Sequence, residues 1–265
     1  MKAGGGFRIV RAVLLGLFAL YFFLPLISMA NFSVQGKGPL KGTITFHYYA
    51  ELVRNEDLRS AIISSLLLAV LTVVLMVVLL VPTMIWVRLR TPGLSRLVEF
   101  LCLLPLTVPP LVIVVGISNV YTWVNYLLGD SPQVLAFAYV VLVLPYSYRS
   151  IDSALSAIDV ATLAEAARSL GANWLTVITR IVLPNIVSGV LGAAFITIAL
   201  VLGEYVFASL LHYDTMPVAL AAIYKSETST AIAGGFASIV VISLLLLGLS
   251  FFNRNQAPDV GGQKE

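Results

Sequence analysis

The feature that most constrains this chain is a series of apolar segments, each about as long as a helix needs to cross a bilayer. The hydrocarbon core of a membrane is about 30 Å thick, which a helix crosses with about 20 residues. Apolar residues make up 59% of the 265 residues and charged residues only 11%, which is too little charge for a soluble domain. The sequence therefore predicts an all-α, multi-pass membrane protein. It excludes a soluble enzyme, a nucleic-acid-binding protein and a disordered chain.

Six of these segments are candidates for membrane-spanning helices. They are predicted at residues 9–30, 61–87, 97–124, 131–148, 186–202 and 232–252. The third contains Pro105, Pro109 and Pro110, which would kink or break it, and broken helices often line transport paths. Residues 1–252 are predicted to form one transmembrane domain, and residues 253–265 a disordered cytoplasmic tail.

The first span has an alternative interpretation as a secretory signal. Basic residues precede it, and Ser28-Met29-Ala30 at its end resembles a cleavage site of small residues. The apolar stretch has about 20 residues, which is longer than the roughly 7–15 of such a signal. We favour a retained span, and cleavage stays open as the alternative.

The distribution of lysine and arginine predicts which side each loop faces, because cytoplasmic loops carry an excess of these residues. With six spans and the N-terminus inside, eleven of the 16 fall inside and five outside. The inside set is Lys2, Arg8, Arg11, Arg88, Arg90, Arg96, Arg149, Arg168, Arg180, Arg254 and Lys264, and the outside set is Lys37, Lys41, Arg54, Arg59 and Lys225. Both termini are therefore predicted to be cytoplasmic.

The predicted inner loop at residues 149–184 has the pattern of two short helices joined by a turn. Thr162 followed by Glu165 is typical of a capping box at a helix start. Four residues then recur at helical spacing on one face: Leu163, Ala164, Ala167 and Leu170. Gly171 is placed to close the helix in a left-handed conformation. A second amphipathic run leads to Pro184, which is expected in the first turn of the fifth span.

This loop resembles the signature loop of bacterial ABC importer permeases. In that family Glu-Ala-Ala is followed after three residues by Gly, and after nine more by Ile-x-Leu-Pro. This chain has Glu165-Ala166-Ala167, Gly171 and Ile181-Val182-Leu183-Pro184 at the same spacing. The resemblance implies the six-helix fold of the type I importer permeases. An ordinary helix–turn–helix at the membrane surface is the alternative for the loop.

The resemblance also implies which residues of the loop act in coupling to a cytoplasmic ATPase. In the family, this loop forms the coupling helices that dock in a cleft of the ATPase. The residues carried over are Glu165, Ala166, Ala167, Leu170, Gly171 and Pro184.

The partners implied by the resemblance are a second permease subunit, two ATPase subunits and an extracytoplasmic binding protein, in the bacterial inner membrane. The chain has no Gly-x-x-x-x-Gly-Lys-Ser/Thr phosphate loop. ATP and Mg²⁺ are therefore expected on the partner ATPase, and this subunit is expected to be non-catalytic and without a cofactor. No metal site is expected, because the single cysteine and the two histidines are far apart.

A secondary transporter acting alone is the rival interpretation. Such proteins often carry internal repeats or charged residues in the middle of their spans. This sequence has no evident internal repeat, and its spans are nearly free of charge.

Over its whole length the chain is similar to the second permease subunit of spermidine/putrescine-type importers. The similarity is carried by Pro25, Thr45-Phe46-His47-Tyr48-Tyr49, Leu104-Pro105, Pro109-Pro110 and Leu202-Gly203-Glu204-Tyr205. A polyamine is therefore the expected solute. Related permeases for thiamine, ferric iron, phosphonate and sulfate share parts of this pattern and remain alternatives.

Four residues are candidates for the transport path: Glu204, Tyr205, Tyr121 and Trp123. Glu204 lies about 20 residues beyond Pro184, and hence in the outer half of the membrane at about 1.5 Å per residue. A carboxylate beside a tyrosine suits an amine by charge pairing and by cation–π contact. A loop carboxylate, or an ion pair with a lysine or arginine, is the alternative. Tyr121 and Trp123 are equally explained by an interfacial aromatic belt.

Overall fold

The computed structural model of the chain describes residues 5–37 and 41–254. Almost all of these residues are helical, and the only strand-like pairing among them is an isolated bridge between Gln35 and Ile44. The prediction of an all-α protein is confirmed. Helices are the expected solution, because hydrocarbon offers no partner for backbone N–H and C=O groups, and a helix satisfies them within one segment.

The α-helices of the described residues are named here in chain order. They are α1 (Gly5–Val34), α2 (His47–Arg54), α3 (Glu56–Arg90), α4 (Ser95–Leu103), α5 (Pro110–Leu128), α6 (Ala136–Ser156), α7 (Val160–Ser169), α8 (Trp174–Asn185), α9 (Val187–Gly203), α10 (Val206–Leu210), α11 (Met216–Ile223) and α12 (Thr228–Arg254). Helix α8 is π-helical in its middle, over Val177–Val182.

Five segments of the described chain are long and apolar enough to cross a membrane. They are formed by α1, α3, α5, α6 with the short 3-10 turn before it, and α12. The fifth predicted span corresponds to α9, which passes the same test only together with α8, and the two helices are bent by 76°. Length and composition therefore support five spans, or six if the bent pair counts as one.

The third predicted span, residues 97–124, is not one continuous helix. A 3-10 turn at Leu104–Thr107 and an extended Val108 separate α4 from α5. Val108 precedes Pro109, and a residue before proline avoids the helical region. Pro109 and Pro110 also lack the N–H that a continuing helix would need. Of the two outcomes expected from these prolines, a kink or a break, the structure has the break.

Two other segment bounds differ from those expected. Helix α6 continues to Ser156, well into the loop predicted to begin at residue 149. Helix α12 ends at Arg254, so the first two residues of the predicted disordered tail are helical. The rest of that tail, 255–265, lies outside the described residues.

The chain divides into two compact units. The first comprises Met1–Arg59 and Ala219–Val240. In it, the Tyr49 hydroxyl donates to Ser33 Oγ at 2.7 Å and connects α2 to the end of α1. The most apolar stretch of α1 has no buried residue, so this stretch offers its circumference to lipid or to another chain.

The second unit comprises Ser60–Val218 and Val241–Glu265, and α6 and α9 form its most extensive helix–helix contact. The hydroxyls of Ser147 and Thr197 lie 3.2 Å apart, and Ser150 Oγ donates to the Gly189 carbonyl at 2.8 Å. A Cβ atom on Gly189 would lie 2.8 Å from the Ser150 carbonyl oxygen and would collide with Ala154. Small residues therefore let the two backbones approach closely, as is common where helices pack in membranes.

We expect Gly189→Ala to lower the free energy of unfolding by about 1–3 kcal/mol, because the added methyl group has no room between α6 and α9. Gly116→Ala in α5 is the matched control, since no heavy atom lies within 4 Å of the position of its Cβ. Denaturation of the two purified variants in detergent measures the difference. Equal unfolding midpoints would contradict the close approach at Gly189.

Candidate functional site

The loop after α6 begins with a capped helix, but the cap is not the predicted one. Asp159 Oδ1 accepts from the Thr162 N–H at 3.1 Å, and its Oδ2 accepts from the Thr162 hydroxyl at 2.7 Å. The expected capping box of Thr162 and Glu165 is therefore wrong, and α7 begins at Val160. A carboxylate is favoured here, since it satisfies a free N–H and also meets the positive end of the helix dipole.

The two hydrogen bonds also change the acidity of the cap. The Thr162 hydroxyl first, and then the Thr162 N–H, lower the pKa of the Asp159 carboxyl below its usual value, because both bonds stabilise the charged form.

Gly171 closes α7 as predicted. Its φ of 87° lies in the left-handed region, where glycine carries no steric cost. The Gly171 N–H donates to the Arg168 carbonyl at 2.9 Å, and the Ala172 N–H donates to the Ala167 carbonyl at 3.1 Å. The side chain of Asn173 then caps α8 by accepting from the Thr176 N–H at 2.8 Å. The turn is therefore held by hydrogen bonds on both of its sides.

Helix α7 has one buried and one exposed side. Val160, Ala164 and Ala167 are buried, whereas Glu165 and Ala166 are exposed. Leu170 was expected on the same apolar face as Ala164 and Ala167, and this is wrong. It lies beyond the last helical residue and is 90% exposed. Leu175, on the other side of the turn, is 69% exposed. The turn thus carries two outward-facing leucines.

Pro184 does not lie in the first turn of the fifth span, as the sequence predicted. It lies in the last turn of α8, and the chain bends by 76° before α9 begins at Val187. Proline cannot donate to the carbonyl four residues before it, so it loosens the helix at this point. Beside this proline, Asn185 Nδ2 donates to the Ile181 carbonyl at 2.7 Å.

Glu204 lies at the break between α9 and α10, and three donors hold its carboxylate. The Val206 N–H donates to Oε1 at 2.9 Å, the Phe207 N–H to Oε2 at 3.0 Å, and the Tyr139 hydroxyl to Oε2 at 3.0 Å. Tyr139 is fully buried and packs edge-to-face on Phe207. Of the ion pairs found in the described part of the chain, none involves Glu204. An ionised carboxylate has about four acceptor positions, and the donors found among the described residues occupy three of them.

The other path candidates have different surroundings. Tyr205 is half-exposed beside Glu204. Tyr121 is buried, and its hydroxyl donates to the Val134 carbonyl at 3.1 Å and accepts from the Ala138 N–H at 3.2 Å, which connects α5 to the start of α6. Trp123 is 70% exposed. The hydroxyl of Tyr121 is therefore occupied by the protein itself.

The sequence interpretation missed two residues of these sites, Tyr139 and Asp159. Tyr139 is one aromatic residue among many in an apolar span, and its partner Glu204 is distant in sequence, so no local signal pairs them. Asp159 had a local signal, because an aspartate just before an amphipathic run is a common cap. Within residues 5–37 and 41–254, no group of three or more His, Cys, Asp or Glu residues could hold a metal ion.

Comparison with known proteins adds a family and a fold. The chain matches the family model described as "Binding-protein-dependent transport system inner membrane component" over residues 85–262. It is 25% identical over 236 residues to the spermidine/putrescine transport system permease protein PotC of Haemophilus influenzae, a similarity that covers 87% of this chain and 90% of the relative.

Two solved structures have a similar fold. One is a bacterial ABC transporter involved in the import of the acidic polysaccharide alginate, with a TM-score of 0.63 and 18% identity over 94% of this chain and 96% of that one. The other is a bacterial alginate ABC transporter in complex with a pentasaccharide-bound periplasmic protein, with a TM-score of 0.66 and 19% identity over 95% and 96%. At these identities the similarity shows the fold alone.

We expect Asp159→Ala to loosen the first turn of α7, because the Thr162 N–H loses its acceptor. Asp159→Asn is the matched control, since its amide oxygen can still accept. The Asp159 carboxylate stabilises the first turn of α7 fully when the pH is above the usual pKa of an aspartate. This stabilisation is lost as the pH falls through the lowered pKa of Asp159. Hydrogen exchange of the first-turn amides measures the effect. Equal exchange in the Ala and Asn variants would contradict the cap.

Proposed function

The chain belongs to the family of binding-protein-dependent transport system inner membrane components, and from this membership we propose a permease subunit that imports a small cationic solute at the expense of ATP hydrolysed by a partner. As a member of the family it is a multi-pass inner membrane component of an ABC importer. The family supplies the membrane path and not the ATPase. The solute and the residues that act on it are the proposed part.

The ATPase partner docks, in our proposal, on the turn between α7 and α8. The support is the exposed side of this turn, where Leu170 and Leu175 project outward and Glu165 and Ala166 form the accessible face of α7. Exposed apolar side chains grouped at one place are typical of a contact surface. The small side chain of exposed Ala166 lets a partner backbone approach closely. The same loop matches the family signature residue by residue.

A second, similar permease subunit completes the path, and an extracytoplasmic binding protein delivers the solute. The pair of permeases is proposed by analogy with the family. The apolar circumference of α1 is available to either lipid or another chain.

The proposed solute is a polyamine. The relative in Haemophilus influenzae is named for spermidine and putrescine transport, and Glu204 offers a carboxylate at a helix break with room for one more donor. Half-exposed Tyr205 next to it adds a ring that a cation can contact. Broken helices in membrane transporters often expose such groups to the solute.

We expect Gly171→Asp to uncouple the importer, lowering the solute moved per ATP by about tenfold. A non-glycine residue at a φ of 87° costs about 1 kcal/mol or more, which would move the docking turn. Gly42→Asp is the control, since Gly42 has the same φ of 87°, no heavy atom within 4 Å of the position of its Cβ, and lies between α1 and α2 in the chain. Uptake and ATP hydrolysis by the reconstituted importer give the ratio. Equal ratios in the two variants would argue against the docking role.

We expect Glu204→Gln to reduce uptake of labelled spermidine about tenfold, equivalent to about 1.4 kcal/mol. The glutamine oxygen can still accept from one of the two backbone N–H groups of α10, so the variant removes the charge and keeps part of the cap. Asp214→Asn is the control, since it removes an exposed carboxylate that follows α10 in the chain. Uptake is measured in proteoliposomes that contain the whole importer at equal abundance.

Unchanged uptake in Glu204→Gln would exclude the charge of Glu204 from solute contact. Tyr139→Phe tests the hydrogen bond to Glu204 separately from its charge, because this variant removes one donor from the carboxylate and leaves the charge. We expect this variant to retain most of the uptake. If the reconstituted importer hydrolyses ATP in response to thiamine, iron, phosphonate or sulfate and not to a polyamine, the proposed solute is wrong.

A further inference from the structure

Two arginines from different helices lie over the ring of Trp174. The Cζ atom of Arg168, in the last turn of α7, is 4.4 Å from the ring centroid. The Cζ atom of Arg90, the last residue of α3, is also 4.4 Å from it. Trp174 is the first residue of α8, so its ring brings together the ends of three helices.

Trp86 completes this cluster, which we call the tryptophan clasp (Trp86, Arg90, Arg168 and Trp174). The rings of Trp86 and Trp174 meet edge-to-face with centroids 6.5 Å apart, and Arg90 also lies 5.8 Å from the Trp86 ring. Trp86 and Arg90 are four residues apart on α3 and therefore share one face of that helix. Helix α3 contributes one half of the clasp, and the α7–α8 loop contributes the other half.

The clasp is a cation–π contact, and not a network of carboxylate ion pairs. Among the ion pairs of the described residues, none includes Arg90 or Arg168. Tryptophan is the ring that binds cations most strongly, and a planar guanidinium stacks well on it. Each arginine also lies at the C-terminal end of a helix, where the dipole favours a positive charge. These interactions offset the repulsion between two like charges that share one ring.

The end of α3 has a separate contact with α6. Arg88 donates to Asp152 Oδ1 at 2.8 Å and to Ser156 Oγ at 2.6 Å. Arg88 lies two residues from both Trp86 and Arg90, so it projects from roughly the opposite side of the helix. The end of α3 is therefore held on one side by the long helix α6 and on the other by the loop.

The covalent connections of the loop do not reach α3. Helix α7 follows α6, and α8 leads through the 76° bend into α9. Buried residues of α3 and α8, such as Ile85 and Val177, share one apolar cluster, but apolar contacts are not directional and allow sliding. Among the residues that the structure describes, the clasp is the directional contact found between this loop and α3.

We propose that the tryptophan clasp is the link by which a displacement of the α7–α8 loop is passed to α3, with Trp174 as a positioning residue. This inference rests on the proposed role of the loop as the ATPase docking site. When the ATPase subunits close, the loop moves, and the contacts of Trp174 with Arg90 and Trp86 make the end of α3 move with it.

The test uses the full importer with a reporter on the short segment after α3. Leu94 is 49% exposed and lies four residues after Arg90, so Leu94→Cys in a Cys102→Ala background gives a single labelling position. The rate of maleimide labelling is compared without nucleotide and with ATP plus vanadate, which traps the closed ATPase. No solute is needed for this measurement. In the parent with the intact clasp, we expect the labelling rate to change when ATP and vanadate are added.

We expect Trp174→Leu and Arg90→Gln to abolish this nucleotide-dependent change. Both variants should also lower the solute moved per ATP by about three- to tenfold, in proportion to the lost cation–π contact. Trp174→Phe keeps an aromatic face and should retain most of the response, which a general packing defect would not predict. Arg96→Gln is the matched control, since it removes the same charge from α4, and in the described structure only Arg90 and Arg168 lie over a tryptophan ring.

Three results would overturn the inference: no labelling change in the parent, the parental change persisting in both Trp174→Leu and Arg90→Gln, or an equal loss in Arg96→Gln. If Trp174→Leu fails to assemble, the labelling rates of Arg90→Gln, a substitution at an exposed position, decide whether the clasp passes the movement to α3. A wrong solute would remove uptake from every variant but leave the labelling result intact. Failure of any ATPase to co-purify with the parent would instead overturn the proposed function, and this inference with it.

Discussion

Backbone hydrogen bonding in hydrocarbon is the constraint on which the rest of this structure depends. A segment inside a bilayer must satisfy its own N–H and C=O groups, because an unsatisfied group there costs several kcal/mol. A long helix without proline, such as α12, meets this requirement by itself. Each interruption of a helix therefore needs another group that satisfies the freed backbone N–H and C=O groups. Prolines without an N–H mark the break before α5, and the Glu204 carboxylate accepts the first free N–H groups of α10.

The same interruptions carry the candidate functional groups. The Glu204 carboxylate, which caps α10, is also an acidic group in an otherwise apolar region. The Tyr139 hydroxyl holds this carboxylate in place. At the loop after α6, Asp159 and Asn173 cap two helices, and Gly171 turns the chain between them. A structural requirement and a possible function thus coincide, since a group that satisfies a helix end is also rigidly positioned.

The loop could be predicted in large part, and its failures have local causes. The left-handed turn at Gly171 was predictable, because few residues other than glycine adopt that conformation. The cap was mispredicted because Asp159 and Thr162 are both good N-cap residues, and the choice depends on where the chain leaves α6. Leu170 fits the apolar periodicity of α7, but the helix ends at Ser169. Periodicity has no meaning once the helix stops, so Leu170 projects outward instead.

By itself, the sequence determined the helical class, the approximate positions of the apolar segments, a kink or break at the prolines of the third segment, and the signature loop. These follow from chain-local properties: the apolar length of a segment, the missing N–H of proline and the spacing of a motif. Only the tertiary structure decided that Tyr139 holds Glu204, that Gly189 gives α6 and α9 room to meet, and that Arg90 and Arg168 share the ring of Trp174. These contacts join residues distant in sequence, and their geometry depends on how whole helices pack, which no local pattern encodes.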